Sequence, residues 1–257
     1  MNSFLRLFCV SRLCLFAVAA TAMLIPLVEV AANEEEDEEF SVLVFSRTEG
    51  FRHGSIPAGI EAIRELGEEN GFAVEATEDP GVFTEESLAQ YAAIVFLNTT
   101  GTIFDAEQRE ALQGYIRSGG GYVGVHSAAD TEYDWPWYGE LVGAWFRSHP
   151  RTQDAVIHVE NNTHPSTQHL SEQWERRDEW YNFRRNPREH VEVLMALDTG
   201  SFEGSTMEED HPIAWYHEFE GGRSWYTGGG HTDESYGEPD FRQHLLGGIR
   251  WAAGKEN

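Results

Sequence analysis

Cysteine and lysine are nearly missing from this chain. Its only cysteines, Cys9 and Cys14, lie close to the N-terminus, and its one lysine is Lys255. The rest of the chain therefore offers no thiol nucleophile, no thiolate metal ligand and no disulfide. Beyond those first residues stability must come from packing, and a cysteine-nucleophile enzyme is excluded.

Basic residues as a whole are also scarce. Lysine and arginine together number 18, against 44 aspartates and glutamates, which gives a formal net charge of −26. A surface of that sign repels phosphate backbones and anionic lipids. We therefore expect no nucleic-acid partner and no binding to anionic membrane surfaces.

The one long apolar run lies at the N-terminus and has the features of a secretory signal. Arg6 and Arg12 supply positive charge, residues 13–28 are apolar, and small residues follow up to Ala32. The run is short for a membrane span and is interrupted by Pro26, which favours cleavage after Ala32 over retention as an anchor. We predict export to the periplasm or the extracellular space, with no stable membrane span after cleavage.

After this leader the chain is organised as one domain. The prediction is a signal peptide over residues 1–32, an acidic disordered spacer over residues 33–39 and a single domain over residues 40–257. Strand and helix patterns alternate in the first half of that domain, which indicates an α/β fold with a doubly wound, mostly parallel sheet. The predicted strands are residues 41–46, 72–77, 91–97, 122–125, 155–160, 191–197, 213–219 and 223–226, and the longer helices are near residues 57–70, 105–118 and 239–253.

Polar, glycine-rich loops follow four of the predicted strands. His53 follows the first strand, Asn98 and Thr99 follow the third, His126 follows the fourth and His231 follows the last. Ligands of open α/β sheets bind beyond the carboxyl ends of the strands, so we expect these side chains to converge. Backbone amides of such loops can also bind an anion or an oxyanion.

The turn at residues 124–128 has the local pattern of a nucleophile elbow, in which a glycine precedes and a small residue follows the raised side chain. The raised residue here is His126, which can act as a general base, a proton donor or a metal ligand. Ser127 is disfavoured as a nucleophile because neighbouring side chains in a sharp turn point in different directions.

Five segments together resemble the ThuA-like family, which is named for trehalose utilisation. They are residues 51–56, 119–130, 178–181, 211–215 and 229–232. The resemblance extends over about residues 40–253. It implies a flavodoxin-like fold of the class I glutamine amidotransferase-like type, with histidine at the elbow where amidotransferases carry cysteine. It also implies a role in carbohydrate catabolism, often beside enzymes that make 3-keto sugars.

Each candidate residue has both a functional and a structural interpretation. His53 can hold its loop, and His231 can cap the last helix, instead of forming a site. Glu179 can be a partly desolvated acid or base with a raised pKa, or a surface charge among arginines. Aromatic rings near the site can stack on a sugar. The predicted substrate-binding residues are Arg52, Asn98, Thr99, Asp130, Trp180 and Tyr181.

The catalytic candidates also form a metal-ligand set. Imidazole and carboxylate groups suit zinc, manganese or iron. His53, His126 and His231 are the predicted ligands, with Glu179 beside them, but residues on distant loops give no diagnostic spacing. A metal-free site therefore stays open. Other histidines, including His149, are interpreted as structural or surface residues.

Three functions fit these observations. The first is an exported enzyme that processes a glycoside or keto sugar, in which His126, His53, Glu179 and His231 perform acid–base or metal-assisted chemistry. The second is a carbohydrate-binding accessory protein without turnover. The third is a serine- or metal-dependent amide hydrolase, which ranks last because no Ser-His-Asp order is visible.

Overall fold

The structure is a computed structural model that describes residues 40–256. The predicted signal peptide over residues 1–32 and the spacer over residues 33–39 lie outside the described residues. Within residues 40–256, no helix combines the length and apolar character needed to cross a membrane.

The described chain alternates strands and helices, as the sequence predicts for its first half. The strands are β1 Phe40–Phe45, β2 Phe72–Thr77, β3 Ala93–Leu97, β4 Gly121–Val125, β5 Phe146–Ser148, β6 Gln153–Val159, β7 Gln173–Asp178, β8 Asn182–Phe183, β9 Glu192–Leu197, β10 Pro212–Phe219 and β11 Gly222–Thr227. The helices are α1 Ile56–Asn70, α2 Glu85–Leu88, α3 Ala106–Arg117, α4 Pro136–Val142 and α5 Pro239–Ala252.

Nine strands form one sheet in the order β2-β1-β3-β4-β11-β10-β9-β6-β7. The strands pair in parallel from β2 to β11. This half has the strand order of flavodoxin-like folds, so the predicted fold class is confirmed. Beyond β11 the pairs are antiparallel. Strands β5 and β8 form a separate two-stranded sheet.

The central parallel strands are apolar because they are buried on both faces. All residues of β3 and β4 are buried, which explains their nearly continuous apolar sequences. The helix α3 begins at a capping box, in which Asp105 and Gln108 each accept a backbone hydrogen bond from the other residue. These local signals place the predicted strands and long helices within a few residues of their observed bounds.

Strand β7 was not predicted, and its position is important for the site. Its residues alternate between exposed and buried, and the buried face carries Trp174, Arg176 and Asp178. Because two of the three residues on the inner face are charged, the sequence lacks the apolar alternation that identifies a strand. Asp178 accepts a hydrogen bond from the backbone of Gly230, after β11. The antiparallel half of the sheet therefore folds back towards the carboxyl ends of the parallel strands.

Candidate metal and catalytic site

Four side chains from four separate loops meet at the carboxyl ends of the parallel strands. His53 follows β1, His126 follows β4, Glu179 follows β7 and His231 follows β11. Each can offer one ligand atom, and these four atoms all lie within 4.8 Å of one another. The structure therefore brings together the three histidines from the predicted strand ends with Glu179.

His126 occupies a strained elbow. Its φ of 49° lies in the left-handed region, which non-glycine residues adopt at a cost. Its Nδ1 lies 2.9 Å from the carbonyl oxygen of Gly228, which can only accept, so Nδ1 carries the proton. The Tyr226 hydroxyl donates to the His126 carbonyl oxygen at 2.8 Å. The Nε2 of His126 is buried without a hydrogen-bond partner and lies 3.5 Å from Glu179 Oε2.

The loop after β11 is held by the buried carboxylate of Asp178. Its Oδ2 accepts from the Gly230 amide at 2.8 Å, and its Oδ1 accepts from the His231 amide at 3.1 Å. The Glu179 amide also donates to Asp178 Oδ1, at 2.9 Å. The guanidinium of Arg176 lies 3.2 Å from Oδ2 and balances the buried charge. One side chain therefore positions the backbone of both Glu179 and His231.

Glu179 is ionised at the centre of the group. Burial favours a raised pKa, but the adjacent His126 and His231 outweigh it and hold the pKa of Glu179 well below its usual range. Of the two interpretations from the sequence, the raised pKa is contradicted by the adjacent histidines, and the surface charge is contradicted by the burial of Glu179. In turn, the Glu179 carboxylate, whose Oε2 lies 3.3 Å from His231 Nδ1, raises the pKa of His231.

His53 completes the group in its neutral form. Burial, with smaller effects from the nearby His126 and His231, lowers the pKa of His53 to about 3. Its Nδ1 lies 3.2 Å from the hydroxyl oxygen of Ser127. Its ring centroid is 4.9 Å from that of His126 and 5.2 Å from that of His231. Ser127 therefore supports a histidine in this structure.

His149 joins the site although the sequence did not suggest it. Its Nδ1 lies 2.9 Å from Glu179 Oε1, on the side away from His126 and His231. The side chain of His149 is 43% exposed and that of His231 is 25% exposed, whereas that of His126 is fully buried. These two histidines therefore border the opening. The signal that could have identified His149 is its place directly after β5, a strand too short to recognise from sequence.

Two of the predicted substrate-binding residues lie against the group. The Tyr181 ring centroid is 4.1 Å from that of His126. Asp130 follows His126 within the same turn and accepts a hydrogen bond from the Tyr133 hydroxyl. Burial raises the pKa of Asp130. Asp130 is partly exposed and can therefore contact a ligand near His126, whereas Tyr181 is buried and packs against the His126 ring.

The other four candidates lie elsewhere. Arg52 is exposed and paired with Glu78, at 2.6 and 2.9 Å. The remaining three are completely buried, and their hydrogen bonds stabilise the surrounding loops. These bonds join Asn98 to Ser55, Thr99 to Thr131, and Trp180 to the carbonyl oxygen of Gln153. None of these four residues is part of the histidine group.

Two of the distances between the donor atoms match those around a divalent metal. Two ligand atoms bound to a tetrahedral zinc at ~2.0–2.1 Å are ~3.3–3.4 Å apart. The distances from Glu179 Oε2 to His126 Nε2 and His231 Nδ1 are 3.5 and 3.3 Å. Neither of these two buried nitrogens has a hydrogen-bond partner. The carbonyl of Gly228 orients His126 as outer-shell carbonyls orient metal-binding histidines.

Comparison with known proteins gives the family and the fold. The ThuA family model, described as trehalose utilisation, matches residues 41–252. A ThuA-like protein from Bacteroides uniformis is 25% identical, with a TM-score of 0.71 over 83% of this chain and 91% of that one. A ThuA-like protein from Parabacteroides merdae is 17% identical, with a TM-score of 0.69 over 84% of this chain and 90% of that one.

The fold also occurs within larger carbohydrate enzymes. A β-galactosidase from Bacillus circulans sp. alkalophilus is 13% identical, with a TM-score of 0.57 over 84% of this chain and 31% of that one. That likeness shows the fold alone. No curated protein matches this sequence.

Proposed function

This chain belongs to the ThuA family of trehalose utilisation, and we propose on that basis that it is an enzyme that processes glycosides or keto sugars by metal-assisted histidine chemistry. The observation that carries the proposal is the convergence of His53, His126 and His231 on the ionised carboxylate of Glu179. The family links the chain to sugar metabolism, and the group supplies the chemistry.

The metal-binding part of the proposal rests on His126, His53 and Glu179. Because these residues are buried, they are better placed to bind a metal ion than to contact a substrate. Zinc, manganese and iron all accept such a donor set. A bound divalent ion would act there as a Lewis acid on a carbonyl or hydroxyl oxygen of the sugar.

The proton-transfer part of the proposal rests on His231. A 3-keto sugar has an acidified C–H bond beside its carbonyl, and its removal needs a base that can reach the substrate. His231 is partly exposed at the opening, and its pKa is raised by Glu179 rather than lowered by burial. His231 can therefore carry the proton, or it can serve as the fourth ligand. Comparing the metal content of His231→Ala with that of the wild type separates these two roles.

Turnover of a 3-keto-glucoside tests the proposed function. We expect His126→Ala to lower kcat/KM by at least about 100-fold, because it removes the buried group that organises the site. The matched control is His158→Ala, which removes an exposed imidazole on β6, outside the group. Full turnover by His126→Ala would contradict the proposal. Tight sugar binding without turnover, retained in His126→Ala, would favour the accessory-protein alternative.

A further inference from the structure

Phe51 is the one large apolar side chain that is exposed within residues 40–256, at 67%. Its ring centroid lies 4.9 Å from that of His53, with the planes almost perpendicular. The His53 ring lies in turn about as close to His126 and His231. The exposed phenyl ring therefore stands at the edge of the histidine group.

The backbone that carries this ring is fixed on both sides. The Thr100 hydroxyl donates to the Phe51 carbonyl oxygen at 2.9 Å, and the Glu49 amide donates to the Thr100 carbonyl oxygen at 2.8 Å. On the other side, Arg52 is paired with Glu78 and His53 contacts Ser127. The loop therefore fixes the backbone at Phe51, and the exposure of the ring follows from that position.

An isolated exposed phenylalanine is not unusual by itself. Its position distinguishes Phe51, because the ring adjoins buried polar groups and no other large apolar side chain within residues 40–256 is exposed. A ligand that contacts both features must have one apolar face and polar edges. A pyranose has this character, since its ring C–H bonds form an apolar face and its hydroxyl groups lie at the edges.

We propose that Phe51 is the platform on which the sugar ring stacks while its oxygen atoms face the histidine group. This inference rests on the proposed function and names its substrate class more closely. A pyranose with equatorial hydroxyls presents an uninterrupted C–H face to the ring. An axial hydroxyl interrupts only the face on which it lies, so the platform takes the face of the sugar that carries C–H bonds alone.

Two other ligand classes fit the observations less well. A lipid chain requires a larger continuous apolar surface than one phenyl ring offers. A nucleobase can stack on a phenyl ring, but nucleotides carry phosphates that the net charge of −26 repels. The pyranose is therefore the class that the position and the charge both support.

The test compares Phe51→Ala and Phe51→Trp with the wild type, using methyl 3-keto-β-glucopyranoside as the probe. We expect Phe51→Ala to raise Kd and KM by about tenfold, with metal content and thermal stability unchanged. Phe51→Trp should retain tight binding, because the indole offers a larger stacking face. The matched control is Phe219→Ala, which removes a phenyl ring at the opposite end of the β10–β11 hairpin.

These results distinguish a failure of the platform proposal from a failure of the proposed function. Wild-type Kd and KM in Phe51→Ala would overturn the platform and leave the enzyme proposal intact. Loss of metal or stability in Phe51→Ala would also overturn it, since the ring would then support His53. If the wild type neither bound nor turned over the sugar, the proposed function would fail and the platform with it. Stronger Phe51-dependent binding of adenosine than of the sugar would overturn the substrate class.

Discussion

A single buried carboxylate, Asp178, organises two of the proposed functional residues. It accepts hydrogen bonds from the amides of Glu179, Gly230 and His231 and is paired with the buried guanidinium of Arg176. Its effect is on backbone position, so it is a positioning residue and not a group that contacts substrate. The arrangement places a structural ion pair directly beneath the site.

We expect Asp178→Asn to lower the free energy of unfolding by about 1–3 kcal/mol, because the buried backbone amides that Asp178 accepts from lose a charged acceptor. Arg176 keeps its second pair, with Glu238 at 3.0 Å. The matched control is Asp154→Asn, which breaks the exposed pair between Asp154 and Arg177 at a similar 3.3 Å. Asp154→Asn should lower the free energy of unfolding by less than about 1 kcal/mol, because the pair it breaks is exposed. Chemical denaturation measures both values, and equal losses in the two variants would show that Asp178 has no special role.

At the scale of elements, α5 fixes the loop that carries His231. This loop joins β11 to α5, and within it the Tyr236 hydroxyl donates to the Gly230 carbonyl oxygen at 3.0 Å. The helix approaches β11 closely through Gly248, where an added Cβ would lie 2.5 Å from the Trp225 ring. The contact between α5 and β11 therefore helps to hold the position of the histidine.

Replacing each of two helical glycines by alanine should change the free energy of unfolding in opposite directions. Gly248→Ala should lower the free energy of unfolding by about 1–3 kcal/mol, because the methyl group overlaps the fully buried Trp225. Gly114→Ala in α3 should raise it by about 0.5–1 kcal/mol, since nothing lies within 4 Å of the added Cβ. Thermal or chemical unfolding provides the comparison. Stabilisation by both changes would mean that α5 can move away from β11 at no cost.

At the scale of the whole molecule, the parallel half of the fold could be predicted from the sequence and the antiparallel half could only be predicted in part. The apolar strands β1, β3 and β4 and the capped helix α3 are specified locally, so periodicity and capping identify them. Strand β7 has polar residues on its inner face, whose partners are distant in sequence. No local sequence pattern identifies contacts between residues so far apart in the chain.

The candidate site, too, could be predicted from the sequence only in part. His53, His126 and His231 were predictable because each follows a strand of the parallel half. The approach of Glu179 to them depends on how β7 folds back, which the sequence pattern does not specify. His149 and Phe51 were missed for a related reason, since their importance comes from neighbours in space. In contrast, Asn98, Thr99 and Trp180 were predicted to contact substrate and are buried.

The metal content of the purified full chain tests the central claim most directly. Elemental analysis should find about one zinc, manganese or iron ion per chain in the wild type and in the control His158→Ala. It should find almost none in His126→Ala, because that change removes the buried, unpartnered nitrogen beside Glu179. A wild-type chain without metal, or equal metal in His126→Ala, would contradict the account of a metal-assisted site.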